Sequence, residues 1–99
     1  NKKGNAVMHE MSVIQNLIQL LKTMEKQQNA KRIISVEISI HPFSCLDEDN
    51  LNFLFGCVSG DDPVFTNAKI KVKRDNGLKD REYIVENVEI EVDEDWEED

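Results

Sequence analysis

The sequence has few of the residues that mark specialised classes of protein. Its 99 residues include two cysteines, two prolines, four glycines and one tryptophan. Two cysteines are too few for a disulfide-stapled scaffold, and they lack the close spacing of a zinc knuckle. No apolar run approaches the roughly 20 residues that span a bilayer, and no basic and then apolar leader opens the chain. We therefore expect a reducing, cytoplasmic location and no membrane partner.

Basic residues are missing from the C-terminal end of the chain. Residues 82–99 contain ten acidic residues and no Lys or Arg, so the formal net charge of −8 belongs to this segment. Its last seven residues, 93–99, are interpreted as a solvated acidic tail. Trp96 in this tail either anchors a partner protein or docks on the edge of the chain's own sheet, and the second is favoured. No basic patch is interleaved with aromatic residues, so no nucleic-acid partner is expected.

Two stretches have apolar residues at helical spacing, and they predict helices near residues 12–28 and 47–58. In the first helix, Ser12 and Gln15 form a capping-box pattern, and Asn29 is suited to the left-handed conformation of a C-cap. The second helix begins with acidic residues and has Gly60 just past its end. The predicted core-facing stripes are Met11, Ile14, Leu17, Ile18, Leu21 and Met24, then Leu51, Leu54, Phe55 and Val58.

Three other stretches alternate with period two, and they predict strands near residues 32–41, 67–74 and 82–92. The second strand carries lysines on its open face, and the third carries glutamates, so we expect these two strands to pair as a hairpin with opposite charges side by side. The inward residues are predicted to be Ile34, Val36, Ile38 and Ile40 in the first strand, and Ile84, Val88, Ile90 and Val92 in the third.

The order helix, strand, helix, strand, strand predicts an α+β (α/β) domain. In this α-β-α-β-β fold, two helices pack on one face of a three-stranded mixed sheet. Residues 8–92 are expected to form this single domain. Residues 1–7 are polar and aperiodic, and we interpret them as a disordered extension or an expression remnant.

Candidate reactive residues are few. The chain has no Gly-rich phosphate loop and no Ser-His-Asp candidate, so an enzyme is not expected. His41 and Cys45 are spaced so that they could share a metal ion, but an exposed histidine and a small buried thiol is the favoured interpretation. Cys57 is predicted to lie in the core. The spacing of His9, His41, Cys45 and Cys57 does not favour a joint four-ligand site.

Met8, His9, Glu10 and Ser12, which lead directly into the first helix, resemble the start of the HypA family of nickel chaperones. Two further blocks resemble the same family in consistent order. One runs from residue 40 to residue 60, with Ser44-Cys45 and a Phe-rich helix, and the other is the closing strand from Tyr83 to Glu91. The resemblance therefore covers the chain from Met8 to about Val92.

The resemblance implies a nickel-binding metallochaperone that serves the maturation of nickel–iron hydrogenase. It implies that His9 supplies an imidazole nitrogen and that Met8 supplies the terminal amine when the chain begins there. Glu10 would add its backbone nitrogen or orient the imidazole. Nickel(II) suits such nitrogen donors, and it would be bound transiently. A maturation GTPase and the hydrogenase large subunit are the implied partners, and a homodimer is a further expectation.

The chain departs from the family pattern at two places. Family members carry two CxxC pairs in an insertion between the second and third strands, which hold a structural zinc, whereas residues 74–81 contain no cysteine. No structural zinc is therefore expected. Seven residues also precede Met8, so no terminal amine lies beside His9 in the chain as written. These departures keep an alternative function open, a metal-free protein–protein interaction module with the same fold.

Overall fold

The computed structural model describes the backbone of residues 2–79 and 82–92, with side chains from residue 10 onward. The acidic tail with Trp96 lies outside the described residues. The observed elements follow the predicted order, and a single 3₁₀ turn precedes the second strand. They are α1 (Lys2–Gln28), β1 (Ala30–Ile40), α2 (Glu48–Ser59), the 3₁₀ turn (Pro63–Phe65), β2 (Lys69–Arg74) and β3 (Tyr83–Val92). None of the described helices is long and apolar enough to cross a membrane.

The three-stranded mixed sheet is confirmed, but the predicted hairpin is wrong. The strand order is β2-β1-β3, with β2 parallel and β3 antiparallel to β1. After β2 the chain crosses the end of β1, where the Asp75 amide donates to the Ile40 carbonyl at 2.7 Å. It then returns along the other edge of β1. This arrangement pairs both edges of the most buried strand, which a β2–β3 hairpin would not do.

Bulges on β1 change which of its side chains face the helices. The register with β3 shifts between Ala30 and Arg32 and between Ile33 and Ser35. An extra residue in a strand interrupts the alternation of faces. Ile33 and Val36 are therefore both buried, while Ile34, which was predicted to face the core, is only half-buried.

A third register shift, opposite Glu37 and Ile38, places an extra residue in β3. Val85 and Val88 consequently both pack against the core, although they are three residues apart. Ile84 and Val92 were predicted to point inward and are instead 45% and 41% exposed. The bulge explains the exposure of Ile84, because a strict period of two applies only to an uninterrupted ladder. Val92 keeps the alternation of Val88 and Ile90, but it is the last residue of the strand.

The helices end largely as their sequences predict, but α1 begins earlier. Asn29 has a φ of 54°, which confirms its left-handed C-cap. Asp47 caps α2 by accepting from the Asn50 amide at 3.0 Å, and the Gly60 amide donates to the Gly56 carbonyl. The capping-box prediction is wrong, because α1 starts at Lys2 and Ser12 lies in its interior.

One hydrophobic core joins the helices to the sheet. The predicted stripes supply much of it, although Val13 joins it unexpectedly and Val58 is 44% exposed. The buried members are Val13, Ile14, Leu17, Leu21, Ile33, Val36, Ile38, Ile40, Leu46, Leu51, Phe55, Val64, Phe65 and Ile70.

Side chains of α2 close the outer edge of β2. The Asn52 side chain accepts from the Ile70 amide at 2.8 Å and donates to the Ile70 carbonyl at 2.9 Å. Glu48 accepts from the Val72 amide at 2.8 Å. An edge strand otherwise presents unpaired backbone groups to solvent. These contacts therefore hold α2 against β2 and protect that edge.

A salt bridge ties α1 to the turn that follows α2. The Lys22 ammonium lies 2.8 Å from Asp62, whose other carboxylate oxygen accepts from the Val64 amide at 3.1 Å. These two hydrogen bonds, that from Lys22 first, lower the pKa of Asp62. The pKa of Lys22 is raised by its hydrogen bonds to Asp62 and Glu25.

Leu17→Ala and Phe55→Ala should each reduce the free energy of unfolding by about 2–5 kcal/mol, because each removes a nearly fully buried side chain and leaves a cavity. Phe53→Ala on the exposed side of α2 is the control, with an expected change within about 0.5 kcal/mol. Urea denaturation measures all three. Losses below about 1 kcal/mol for both core variants would show that the core is assigned to the wrong faces.

Candidate metal site

Met8, His9 and Glu10 lie within α1, six or more residues after its start at Lys2. In an α-helix, only the first four N–H groups lack a carbonyl partner four residues earlier. The backbone nitrogens of these three residues therefore take part in helical hydrogen bonds in this chain. The His9 imidazole and the Met8 side chain lie outside the described side chains, and their roles toward nickel stay predictions.

Glu10 is the first described side chain of the segment, and it contacts α2. Its carboxylate accepts a hydrogen bond from the side-chain amide of Asn50. Asn50 is itself held in place, because its backbone amide donates to the capping carboxylate of Asp47. The contact fixes α1, one residue after His9, against the N-terminus of α2. Among the described residues, the partner of the Glu10 side chain is thus the second helix.

The loop between β1 and α2 is organised by one guanidinium group that the sequence analysis missed. Arg74, the last residue of β2, donates to four backbone carbonyls of this loop. Its Nη1 lies 3.3 Å from the His41 oxygen, 2.9 Å from that of Pro42 and 3.2 Å from that of Ser44, and its Nη2 lies 3.1 Å from that of Leu46. Arginine carries five N–H donors in a planar fork, which suits such a cluster of acceptors. No local sequence pattern signals a contact between residues about 30 positions apart.

His41 is half-buried in this loop rather than exposed as predicted. Its Nδ1 accepts from the Phe43 amide at 3.0 Å, and the two rings lie 5.6 Å apart. The lone pair of Nδ1 is therefore used in a hydrogen bond within the loop.

Both cysteines are exposed, so the predictions of a buried thiol at Cys45 and a core position for Cys57 are wrong. Cys45 lies in the loop, where Leu46 is the residue that enters the core. Cys57 is two residues, about 200°, beyond the buried Phe55 and therefore faces away from the core. Among the described side chains, which begin at Glu10, no group of three His, Cys, Asp or Glu residues is placed to hold a metal ion. The described residues therefore offer no support for a site built from His41, Cys45 and Cys57.

Two solved structures share this arrangement of two helices and a three-stranded sheet. One is the solution structure of the Ni metallochaperone HypA from Helicobacter pylori, with a TM-score of 0.69, 16% sequence identity, and coverage of 85% of this chain and 98% of that chain. The other is a solution structure of a HypA protein, with a TM-score of 0.69, 19% identity, and coverage of 87% and 98%. At these identities the likeness defines the class of fold.

The sequence itself defines the family. Residues 8–80 match the HypA model, which is described as hydrogenase/urease nickel incorporation, metallochaperone. The chain belongs to the HypA family, as the resemblance of its three sequence blocks implied.

Curated relatives agree with this assignment. The hydrogenase maturation factor HypA of Pectobacterium atrosepticum is 35% identical over 51 residues, which are 52% of this chain and 44% of that protein. The factor of the same name from Actinobacillus succinogenes is 32% identical over 63 residues, 64% of this chain and 55% of that protein. The chain thus spans about half the length of the curated relatives that it matches.

Purified protein should carry no stoichiometric zinc, because the chain contains no pair of closely spaced cysteines for a tetrahedral site. Elemental analysis after dialysis without chelator measures the content directly. One zinc per chain would contradict this expectation and would make His41, Cys45 and Cys57 the candidate zinc ligands.

Arg74→Ala should lower the free energy of unfolding by about 1–3 kcal/mol, because four loop carbonyls lose their donor. Arg74→Lys should recover part of the loss, since an ammonium still donates, although without the planar fork. Urea denaturation reports the stability, and hydrogen exchange reports the opening of residues 41–47. Lys31→Ala, at an exposed position on β1, is the control. An Arg74→Ala variant as stable as this control would show that the four contacts contribute nothing.

Proposed function

We propose that this domain binds nickel(II) transiently through Met8, His9 and Glu10 and passes it on during maturation of nickel–iron hydrogenase. The observation that carries the proposal is the family match, which begins at Met8. The maturation GTPase, the hydrogenase large subunit and the cytoplasm belong to this proposal through the resemblance. The chain's task would be to hold and release the metal, with no catalytic step.

The helical position of the segment sets the condition under which nickel binds. Backbone nitrogens bind nickel only after they lose their protons, and a nitrogen inside a helix must also give up its hydrogen bond. A helix that began at Met8 would leave His9 and Glu10 among its first four residues, whose N–H groups have no helical partner. Neutral imidazole and deprotonated amide nitrogens are donors that suit nickel(II). A start at Met8 would therefore remove a competing interaction and add a free amine.

The packing of α1 supports a metal site that can rearrange without unfolding the domain. Among the side chains of α1 that the structure describes, which begin at Glu10, the first buried one is Val13, one turn after the residues Met8 and His9. The contact between Glu10 and Asn50 holds the helix immediately after that turn. Unwinding the backbone before Glu10 would thus leave in place the core contacts of the described residues of α1, which begin at Val13.

A chain that begins at Met8 should bind nickel(II) at least about tenfold more tightly than the chain that begins at Asn1, a difference of about 1.4 kcal/mol. The reason is the gain of the amine and of nitrogens free from helical hydrogen bonds. His9→Ala in the shorter chain should abolish binding, whereas His41→Ala should leave it nearly unchanged. Calorimetry gives the affinity, and the absorption band of square-planar nickel identifies the nitrogen donors.

Circular dichroism of each variant provides the control that α1 and the sheet are retained. If the folded shorter chain does not bind nickel, or if His9→Ala binds as well as its parent, the nickel proposal fails. The metal-free interaction module would then be the better description. The absence of cysteine from residues 74–81 is the observation that favours this alternative.

A further inference from the structure

A row of three lysines lies on the face of the sheet opposite the helices. Lys69, Lys71 and Lys73 are exposed and alternate along β2 with Ile70 and Val72, which point toward the core. The predicted lysine stripe is thus confirmed. Within the described part of the chain, none of these three ammonium groups forms an ion pair or a hydrogen bond with a carboxylate. We call these residues the lysine row.

The glutamates on the same face are engaged with other neighbours. Three of them take hydrogen bonds from side chains of the sheet: Glu37 from Asn87 at 3.0 Å, Glu89 from Ser35 at 3.2 Å and Glu91 from Arg32 at 3.1 Å. Glu37 is the register partner of Lys71, yet it bonds toward β3. The positive charge is therefore concentrated along β2 and the negative charge along β3.

The acidic tail leaves the sheet within reach of the lysine row. Val92, the last residue of β3, pairs with Ala30, whereas Lys69 pairs with Ser35. Because of the two bulges on β1, the residue of β3 opposite Ser35 is Glu89, three residues before Val92. Two strand spacings and three residues along a strand place Val92 and Lys69 roughly 14 Å apart. Seven extended residues span up to about 23–25 Å, and the two side chains shorten the distance that the backbone must cover. Residues 93–99 are therefore long enough to bring carboxylates to Lys69 and toward Lys71.

We propose that the lysine row binds the acidic tail of the same chain. The tail has six carboxylates and no base in its seven residues, which complements the unpaired ammonium groups of Lys69 and Lys71, the two members of the row within its reach. The glutamates of β3 repel the tail, so it is displaced across the sheet toward β2. When it is bound, the tail covers the open face of the sheet and competes with any acidic partner for the lysine row. This contact is independent of nickel.

Trp96 provides the readout, because it is the chain's single tryptophan and lies in the tail. The experiment measures its acrylamide quenching and fluorescence anisotropy at low salt, with a synthetic peptide of residues 93–99 as the limit for a free tail. We expect quenching weaker and anisotropy higher than in the peptide. Both should move toward the peptide values as the salt approaches about 1 M, where the Debye length is about 3 Å.

Charge variants test which lysines hold the tail. Lys69→Glu with Lys71→Glu should give the quenching of the free peptide at low salt, and Lys69→Gln with Lys71→Gln should move it in the same direction to a smaller extent. Lys26→Glu with Lys79→Glu changes the net charge of the chain by the same amount at exposed positions elsewhere, and it should leave Trp96 as in the parent. Circular dichroism confirms that each variant is folded, and the salt titration requires no variant.

Three results would overturn the proposal. The first is quenching in the parent chain equal to that of the peptide at low salt. The second is an equal response of Trp96 to the Lys69/Lys71 variants and to the Lys26/Lys79 control, which would place the tail elsewhere. The third is a signal that depends on protein concentration, which would assign the contact to the tail of a second copy.

Discussion

The pairing of β1 on both of its edges is the interaction on which the rest of the domain depends. Each residue of a buried strand carries a donor and an acceptor that must find partners, and β2 and β3 supply them. One face of β1 forms the floor of the core on which both helices pack. The end of β1 also determines where the loop to α2 begins. The position of α2, and through it that of the candidate metal segment, follows from this strand.

A continuous series of polar contacts leads from the end of β2 to the candidate metal segment. Arg74 holds the carbonyls of the loop, the loop ends at the capping residue Asp47, and Asn50 in the first turn of α2 binds Glu10. Arg74 also opens the β2–β3 connection, the interval in which the resemblance places the family's zinc insertion. The start of that connection and the residue beside His9 are therefore joined by a route of hydrogen-bonded side chains and backbone groups. The Arg74 guanidinium and the Asp47 cap supply these hydrogen bonds, because the loop is not part of a helix or a strand.

The candidate metal segment is a proposal from the sequence, and the surroundings that the sequence did not predict depend on contacts between distant residues. Met8, His9 and Glu10 form a contiguous pattern that resembles the start of the family, and their roles toward nickel stay predictions. Their helical hydrogen bonding was not predicted, because the polar residues before Met8 lack an apolar period and the structure nevertheless continues the helix back to Lys2. The exposure of Cys45 and Cys57 was also missed, because a free cysteine is usually buried. Here the larger neighbours Leu46 and Phe55 enter the core instead and leave both thiols at the surface.

The sequence by itself determined the order of the elements, most of the helical stripes, the C-caps at Asn29 and Gly60, and the family. These features follow from backbone geometry over a few residues, where spacing and side-chain chemistry act directly. Only the tertiary structure decided that β3 pairs with β1 and that bulges turn Ile84 outward and Ile33 inward. The physical reason is that strand neighbours and registers are chosen by competition for the edges of the most buried strand. That competition involves the whole chain, so the alternating pattern of a single strand does not predict which strand pairs with β1 or in which register.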